Sequence, residues 1–263
     1  MNKVAVILTV YLNDSYSDFK EAITSLYLQS EHSFDIFVQE DGLVNSKIHN
    51  FLTNELKEKK IKFLGERPIN LGFDYSLNEL IGIVMNLDYE YIARMDADDI
   101  SKPNRIEKQL IFMENNPLID VCGTYIQEFG DGFIYKKIVT YPLNHKDMFN
   151  FFKKRVPIAH VSSFFRRSYF VKAGLYKVDG HLNNGDTLIW MNGFMNGCNF
   201  ANIDIIGVKV RVSSSFFDRR GGWKKTIADF KNRMLINKNL DYGFMSYLYA
   251  IFGAGINLSP SIF

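Results

Sequence analysis

From Lys3 to about residue 127 the chain alternates short apolar runs of strand length with longer segments whose apolar residues recur at helical spacing. "KVAVILTVY", "FDIFVQED", "IKFLGE", "YEYIARMD" and "IDVCGTYIQEF" read as strands. Between them "DFKEAITSLYLQS", "KIHNFLTNELKEK", "SLNELIGIVMNL" and "NRIEKQLIFMENN" read as helices, the last with Pro103 near its start. Such alternation predicts an α/β fold, a mainly parallel sheet with helices on both faces. After about residue 127 the pattern loosens. "GDGFIYKKIVTYP" predicts a hairpin around Gly130–Gly132, "HKDMFNFFKK" a short helix and "IAHVSSFFRR" a strand. "GDTLIWMNGFMNG" predicts a helix that stops at Gly197, "NIDIIGVKVRV" a strand, and "WKKTIADFKNRMLINKNL" an amphipathic helix. No repeat or Pro/Ser linker separates the halves, so the second is expected on the same sheet. The 263 residues suit one large domain, with or without a C-terminal appendage.

Several classes are disfavoured. Cys122 and Cys198 are distant and form no CxxC pair, which argues against a zinc site and a disulfide framework and fits a reduced, cytosolic setting. The start "MNKVAVILTVYLNDS" has a lysine and an apolar run but no small-x-small cleavage site, and Val4–Val10 reads as a buried strand. No segment reaches the ~18 apolar residues of a membrane span; "FMSYLYAIFGAGI" at 244–256 is too short and holds two glycines. Net charge is +2, yet residues 209–238 carry nine Lys or Arg against Asp218 and Asp229. That stretch is either a solvated helix face or an attractor of phosphates or an anionic membrane. The 15% aromatic content serves a Phe-rich core, sugar stacking or lipid contact.

Ligands of open α/β sheets bind beyond the carboxyl ends of the strands. Here those ends carry Thr9-Val10-Tyr11, Glu40-Asp41-Gly42, "ERPINLG" at 66–72, and Asp96-Ala97-Asp98-Asp99. This edge is acidic and lacks both GxGxxG and GxxxxGK[ST]. In an extended chain Asp96 and Asp98 would aim two carboxylates at one spot, which is costly without a cation or a proton. Mg²⁺ or Mn²⁺ prefers such oxygen ligands and fills its shell with phosphates. The alternative is an acidic turn in which Asp99 caps the helix near Pro103.

"VAVILTVYL", "QEDG", "INLGFDYSLNELI", "YIARMDADDISKPNRIEKQ" and "HVSSFFRRSYFVKAGLY" together resemble a family 2 glycosyltransferase of GT-A fold, close to bacterial enzymes that assemble O-antigen or capsule repeat units. The resemblance covers roughly residues 3–222. It implies a catalytic unit over 1–222, with a nucleotide-sugar half (1–127) and an acceptor-side half (128–222), and a C-terminal amphipathic helix and aromatic tail over 223–263. It further implies that Thr9 and Tyr11 line the nucleotide pocket and that Asp41 accepts a hydrogen bond from the base. Asn70 and Gly72 would shape a loop near base and sugar. Asp96 and Asp98 match the DxD pair, Asp98 as the direct ligand of Mn²⁺ or Mg²⁺, with Arg94 beside them. Asp186 matches the general base that precedes a Leu-Trp helix, and Gly185 stands where the family usually has glutamate. His160 and Trp190 would lie on the acceptor side, and Arg219 and Arg220 in a loop that closes on the sugar-nucleotide diphosphate or meets a phosphate of a lipid-linked acceptor. Asp186 also reads as a helix N-cap, His160 and Trp190 as core, Arg94 as an ion-pair partner, and Arg219-Arg220 as a solvated turn.

The expected activity is inverting, metal-dependent transfer of a hexose from a UDP-sugar to a sugar on an undecaprenyl-diphosphate-type lipid, in surface polysaccharide biosynthesis. The expected location is cytoplasmic, with the basic stretch and aromatic tail resting on the inner face of the bacterial membrane, and no nucleic-acid partner is expected. Two other readings stay open: a nucleotidyltransferase acting on sugar phosphates, and a nucleotide-binding protein without turnover.

Overall fold

A computed structural model describes residues 3–130, 137–178, 185–212 and 223–258. Its centre is strand β1 (Val4–Val10), whose run VAVILTV is apolar on both faces. Val4, Val6, Leu8 and Val10 point into one core layer, and Ala5 and Ile7 into the other. Around it the first half follows the predicted alternation: α1 (Tyr16–Tyr27), β2 (Phe34–Glu40), α2 (Ser46–Lys57), β3 (Phe63–Gly65), α3 (Phe73–Met85), β4 (Tyr91–Arg94), a short β5 (Ile100–Ser101), α4 (Arg105–Asn115) and β6 (Val121–Phe129). The second half adds β7 (Ile138–Val139), α5 (His145–Phe151), β8 (Phe164–Arg166), α6 (Arg167–Ala173), α7 (Gly185–Met195), β9 (Phe200–Arg211), α8 (Trp223–Asn239) and α9 (Phe244–Leu258).

Among the described residues nine strands form one sheet in the order β3-β2-β1-β4-β8-β6-β9-β5, with β7 paired to β6. β3, β2, β1 and β4 run parallel, as do β6 and β9. β8 is inserted antiparallel between β4 and β6. The chain leaves β1 towards β2 and returns to its other side as β4, so the order reverses there and opens a crevice at the carboxyl ends of both strands.

Helices cover both faces. Phe19, Ile23 and Leu26 of α1, Leu52 of α2 and Ile106 and Leu110 of α4 fill one layer. Leu77 and Leu80 of α3, Tyr169 of α6 and Leu188 and Trp190 of α7 fill the other. Each such side chain contributes roughly 1.5–3 kcal/mol on burial. The second layer absorbs much of the aromatic surplus: Trp190 stacks on Phe165 and Phe194 on Phe200. Ile236 of α8 and the following Tyr242 join this layer, and Tyr242 donates to the Phe149 carbonyl at 2.6 Å.

Three local features depart from the pattern. The segment expected as one strand at 158–167 contains a 3-10 turn, His160–Ser162, before β8 begins. The Ser162 and Ser163 hydroxyls donate to the carbonyls of Ala159 and His160, competing with ladder formation. Residues 97–98 form a turn, so the acidic corner is not extended. The inward side of α8 is less apolar than an amphipathic helix requires: Thr226, Asn232 and Asn237 are buried with Ile236, while Ile227 and Leu235 face out. No helix among the described residues is long and apolar enough to cross a membrane.

Candidate active site

The crevice beyond β1 and β4 is a cleft of about 670 Å³. Thr9 and Tyr11 line it from the end of β1, Gly72 from the entry to α3, and Arg94, Asp96, Asp98 and Asp99 from the end of β4. His160 and Asp186 line it from the second half of the chain. The fold thus gathers into one space eight of the residues singled out from sequence, although Thr9 and Asp186 are far apart in the chain. Gly72 holds a backbone φ of +97° at the N-cap of α3, a region that L side chains rarely adopt.

The acidic corner is built by its neighbours. Arg94 is buried, and both its terminal nitrogens donate to Asp96, one of them at 2.7 Å. Its guanidinium lies 4.9 Å from the Phe73 ring centroid, and its Nε has no hydrogen-bond partner. Below the turn sits Arg105, 0% exposed, donating to the Arg94 carbonyl at 2.7 Å and to Gln109 at 3.0 Å. Burial, and then the nearby Arg94 charge, push its pKa down to about 9. Asp99 does not cap α4. Its Oδ1 accepts from the Arg211 backbone N–H at 2.8 Å, while Arg211 Nε donates to the Asp98 carbonyl at 3.0 Å.

Arg211 reaches the corner because β9 pairs antiparallel with β5 at Ile100–Lys209. The register of β9 against β6 slips between Thr124 and Ile126, an irregularity of the β-bulge kind. Sequence reasoning counted Arg211 only as part of a basic stretch; its position at the very end of an apolar strand was the available signal.

Burial drives the Asp99 pKa well above the carboxylate range, and the adjacent charges of Asp96 and Asp98 add to it. The corner is an all-oxygen donor set of the type a hard divalent cation takes, with the Asp96 carboxylate already paired to Arg94. A separate group, Glu40, His49 and Glu66, brings three ligand atoms within 4.8 Å of one another. None of these three lines the cleft, and the Glu40 carboxylate is already engaged by His49 Nδ1.

Asp186 sits in the first turn of α7, where its Oδ1 accepts from the Thr187 N–H at 2.8 Å. His160 is half-buried, its Nε2 2.7 Å from the Tyr176 hydroxyl, and its ring meets Phe73, Tyr176 and Trp190 edge-on. Burial, followed by the Arg94 charge, holds its pKa well below the usual histidine value.

Three expected residues are not among those that line the cleft. Trp190 is 0% exposed and stacked on Phe165, so it offers no face to a sugar and serves as core. Asp41 is 4% exposed; its carboxylate accepts from the N–H groups of Leu71 (2.9 Å) and Gly72 (3.1 Å) and from Arg67 (2.5 Å). Asn70 donates to the Asp41 carbonyl at 3.0 Å. Asp41 and Asn70 therefore clamp the loop that enters α3, with Arg67 also bound to Glu79 and Ser76. Arg219 and Arg220 lie outside the described residues. Sequence reasoning also passed over Asp74, Tyr75 and Lys177, which line the cleft.

Residues 5–174 match the model of the family described as Glycosyl transferase family 2. An Escherichia coli UDP-Gal:alpha-D-GlcNAc-diphosphoundecaprenol beta-1,3-galactosyltransferase is 28% identical, over 87% of this chain and 81% of its own. The amylovoran biosynthesis glycosyltransferase AmsE of Erwinia amylovora is 27% identical, over 83% and 80%. The fold resembles that of S. aureus TarS. The 1–349 portion solved with UDP-GlcNAc superposes with a TM-score of 0.68 at 13% identity, over 99% of this chain and 76% of that one. The chain spans 44% of the longer TarS structure.

Proposed function

Because the chain belongs to glycosyl transferase family 2, we propose that its cleft moves a hexose from a UDP-sugar, with inversion, to a sugar acceptor carried on a lipid diphosphate in surface polysaccharide biosynthesis. The observation that carries this reading is the gathering into one cleft of Arg94, Asp96 and Asp98 from the end of β4 and Asp186 from the start of α7. Such an arrangement separates leaving-group stabilisation from acceptor activation, which a single displacement requires.

The UDP-sugar lies along the end of β1, with Thr9 and Tyr11 against the nucleotide. Asp96 and Asp98 would hold Mn²⁺ or Mg²⁺, which when bound offsets the charge of the departing diphosphate. Arg94, locked to Asp96 and backed by Phe73, keeps that carboxylate oriented. Asp186 takes the proton of the acceptor hydroxyl as its oxygen bonds to the anomeric carbon. The bond from that carbon to the diphosphate oxygen breaks, and its electron pair leaves with UDP. Arg219 and Arg220 close on the diphosphate, and His160 shapes the acceptor side. The lipid-linked acceptor is supported by the name of the E. coli relative, and the polysaccharide role by that of the Erwinia one.

Residues 1–222 form the catalytic unit, and 223–263 form a membrane-facing appendage at the inner face of the bacterial membrane. Trp223, Phe244, Met245 and Ile251 are exposed on α8 and α9, which supports peripheral contact with lipid. The test is a screen of UDP-hexoses with Mn²⁺ and a synthetic GlcNAc-diphospholipid, read by mass. Wild type adds one hexose and Asp186→Asn loses roughly 10²–10⁴-fold in rate. A wild type that transfers nothing, or an Asn variant of equal rate, refutes the reading.

A further inference from the structure

The space beside Gly185 is occupied by another side chain. A Cβ added there would overlap all three atoms of the Asp74 carboxylate, Cγ, Oδ1 and Oδ2 alike. The side-chain space of residue 185 is therefore filled by an acidic group delivered from another element, in the first turn of α3. Asp186 follows directly in the chain, and Asp74, Gly185 and Asp186 all line the same cleft.

This approach is held by more than one contact. One turn further along α3, Asn78 clamps the backbone of Tyr176, donating to its carbonyl and accepting from its N–H, each at 2.9 Å. The Tyr176 hydroxyl in turn lies 2.7 Å from His160 Nε2. α3 is thus fixed against the floor of the acceptor side, and Asp74 is carried with it.

We propose that Asp74 is the second acidic group of the catalytic centre: it binds the acceptor sugar by accepting hydrogen bonds from hydroxyls beside the one that Asp186 deprotonates, and it does so from the space that a side chain at 185 would take. This rests on the glycosyl-transfer reading of the same cleft. The carboxylate pair is assembled from two helices instead of two consecutive residues, and a side chain at 185 would have to turn the Asp74 carboxylate aside.

The experiment compares wild type with Asp74→Ala, Gly185→Glu, the double variant Asp74→Ala/Gly185→Glu and the control Asp74→Ala/Gly185→Gln. The substrates are the UDP-hexose that transfers in the screen above and the GlcNAc-diphospholipid acceptor; melting temperature and UDP affinity are measured alongside. Losing charge-assisted hydrogen bonds to the acceptor lowers kcat/KM for it roughly ten- to hundredfold in Asp74→Ala. UDP affinity stays within about threefold, less than one such bond is worth. Gly185→Glu alone turns the Asp74 carboxylate aside, with little change in melting temperature, and transfers poorly. The Ala/Glu double variant regains about tenfold in kcat/KM over Asp74→Ala. The Ala/Gln control fills the same space without turnover, which separates charge from packing. Acceptor kinetics unchanged in Asp74→Ala, or an Ala/Glu variant no faster than Asp74→Ala or Ala/Gln, overturns the proposal while leaving glycosyl transfer in place. A wild type without transfer removes the underlying reading, and the proposal with it.

Discussion

Replacing Asp41 by asparagine tests whether that residue is a loop clamp or a reserved ligand contact. The exchange keeps the shape of the side chain and removes its charge and one acceptor. Both backbone donors, Leu71 N–H and Gly72 N–H, now bond to the carboxylate, so the amide leaves one of them facing an NH₂ group. An unsatisfied N–H there costs about 1–3 kcal/mol. The ion pair with Arg67 is nearly buried, its side chains 5% and 11% exposed. Breaking one side of a buried pair commonly costs ~3–5 kcal/mol, but Arg67 retains Glu79, which places the loss at the low end. The two effects share one clamp and do not add fully, so about 3 kcal/mol is expected. For a chain of this size that is roughly 5 °C in melting temperature. The assay is urea and thermal unfolding without nucleotide, followed by the fluorescence of the buried Trp190. A carboxylate kept only for a ligand would leave apo stability unchanged or improve it on neutralisation. A variant within about 0.5 kcal/mol of wild type therefore refutes the clamp and returns Asp41 to direct contact with the base.

Other outcomes follow from the same geometry. Asp98→Ala should make UDP affinity insensitive to added Mn²⁺, as titration calorimetry with and without the metal would register; a retained metal response would exclude Asp98 as a ligand. His160 refuses a proton in the folded state that the unfolded chain accepts near pH 6.5, so its contribution is complete above that pH and drains as the pH falls towards its depressed folded value. Unfolding free energy should fall by up to about 1.4 kcal/mol per pH unit from this group below pH 6.5, and His160→Gln should flatten that part of the curve; an unchanged slope would contradict it. Asp120 is buried, accepts from the Asn199 N–H, Ser168 and Lys172, and lies outside the cleft lining. Asp120→Ala should cost about 3 kcal/mol in chemical denaturation with UDP affinity unaltered; a neutral substitution would show that this network does not stabilise the fold.

What could be read from the chain was whatever depends on near neighbours. The apolar run Val4–Val10 and the helices after it carry their period within a few residues, and the acids at 96–99 announce themselves by following a buried strand. The 3-10 turn at His160–Ser162 was hidden because two serine hydroxyls, not apolar spacing, decide it. Asp41 was legible as a strand-end acid, but its partners lie at residues 67–72 beyond a whole helix, and no local pattern names them. Trp190 looked like a sugar platform or a core residue, and only the stacking of Phe165 on it decides for the core. The meeting of Asp74 with Gly185 spans more than a hundred residues and leaves no trace in either segment alone.

The clasp between Arg211 and the 98–99 turn ties the acidic corner to a strand made 112 residues later. Synthesis proceeds from the N-terminus, so β1 and β4 can collapse while the strand that finishes their rim is still unwritten. A nascent chain thus lacks the brace on its acidic corner until about four-fifths of these residues have been joined.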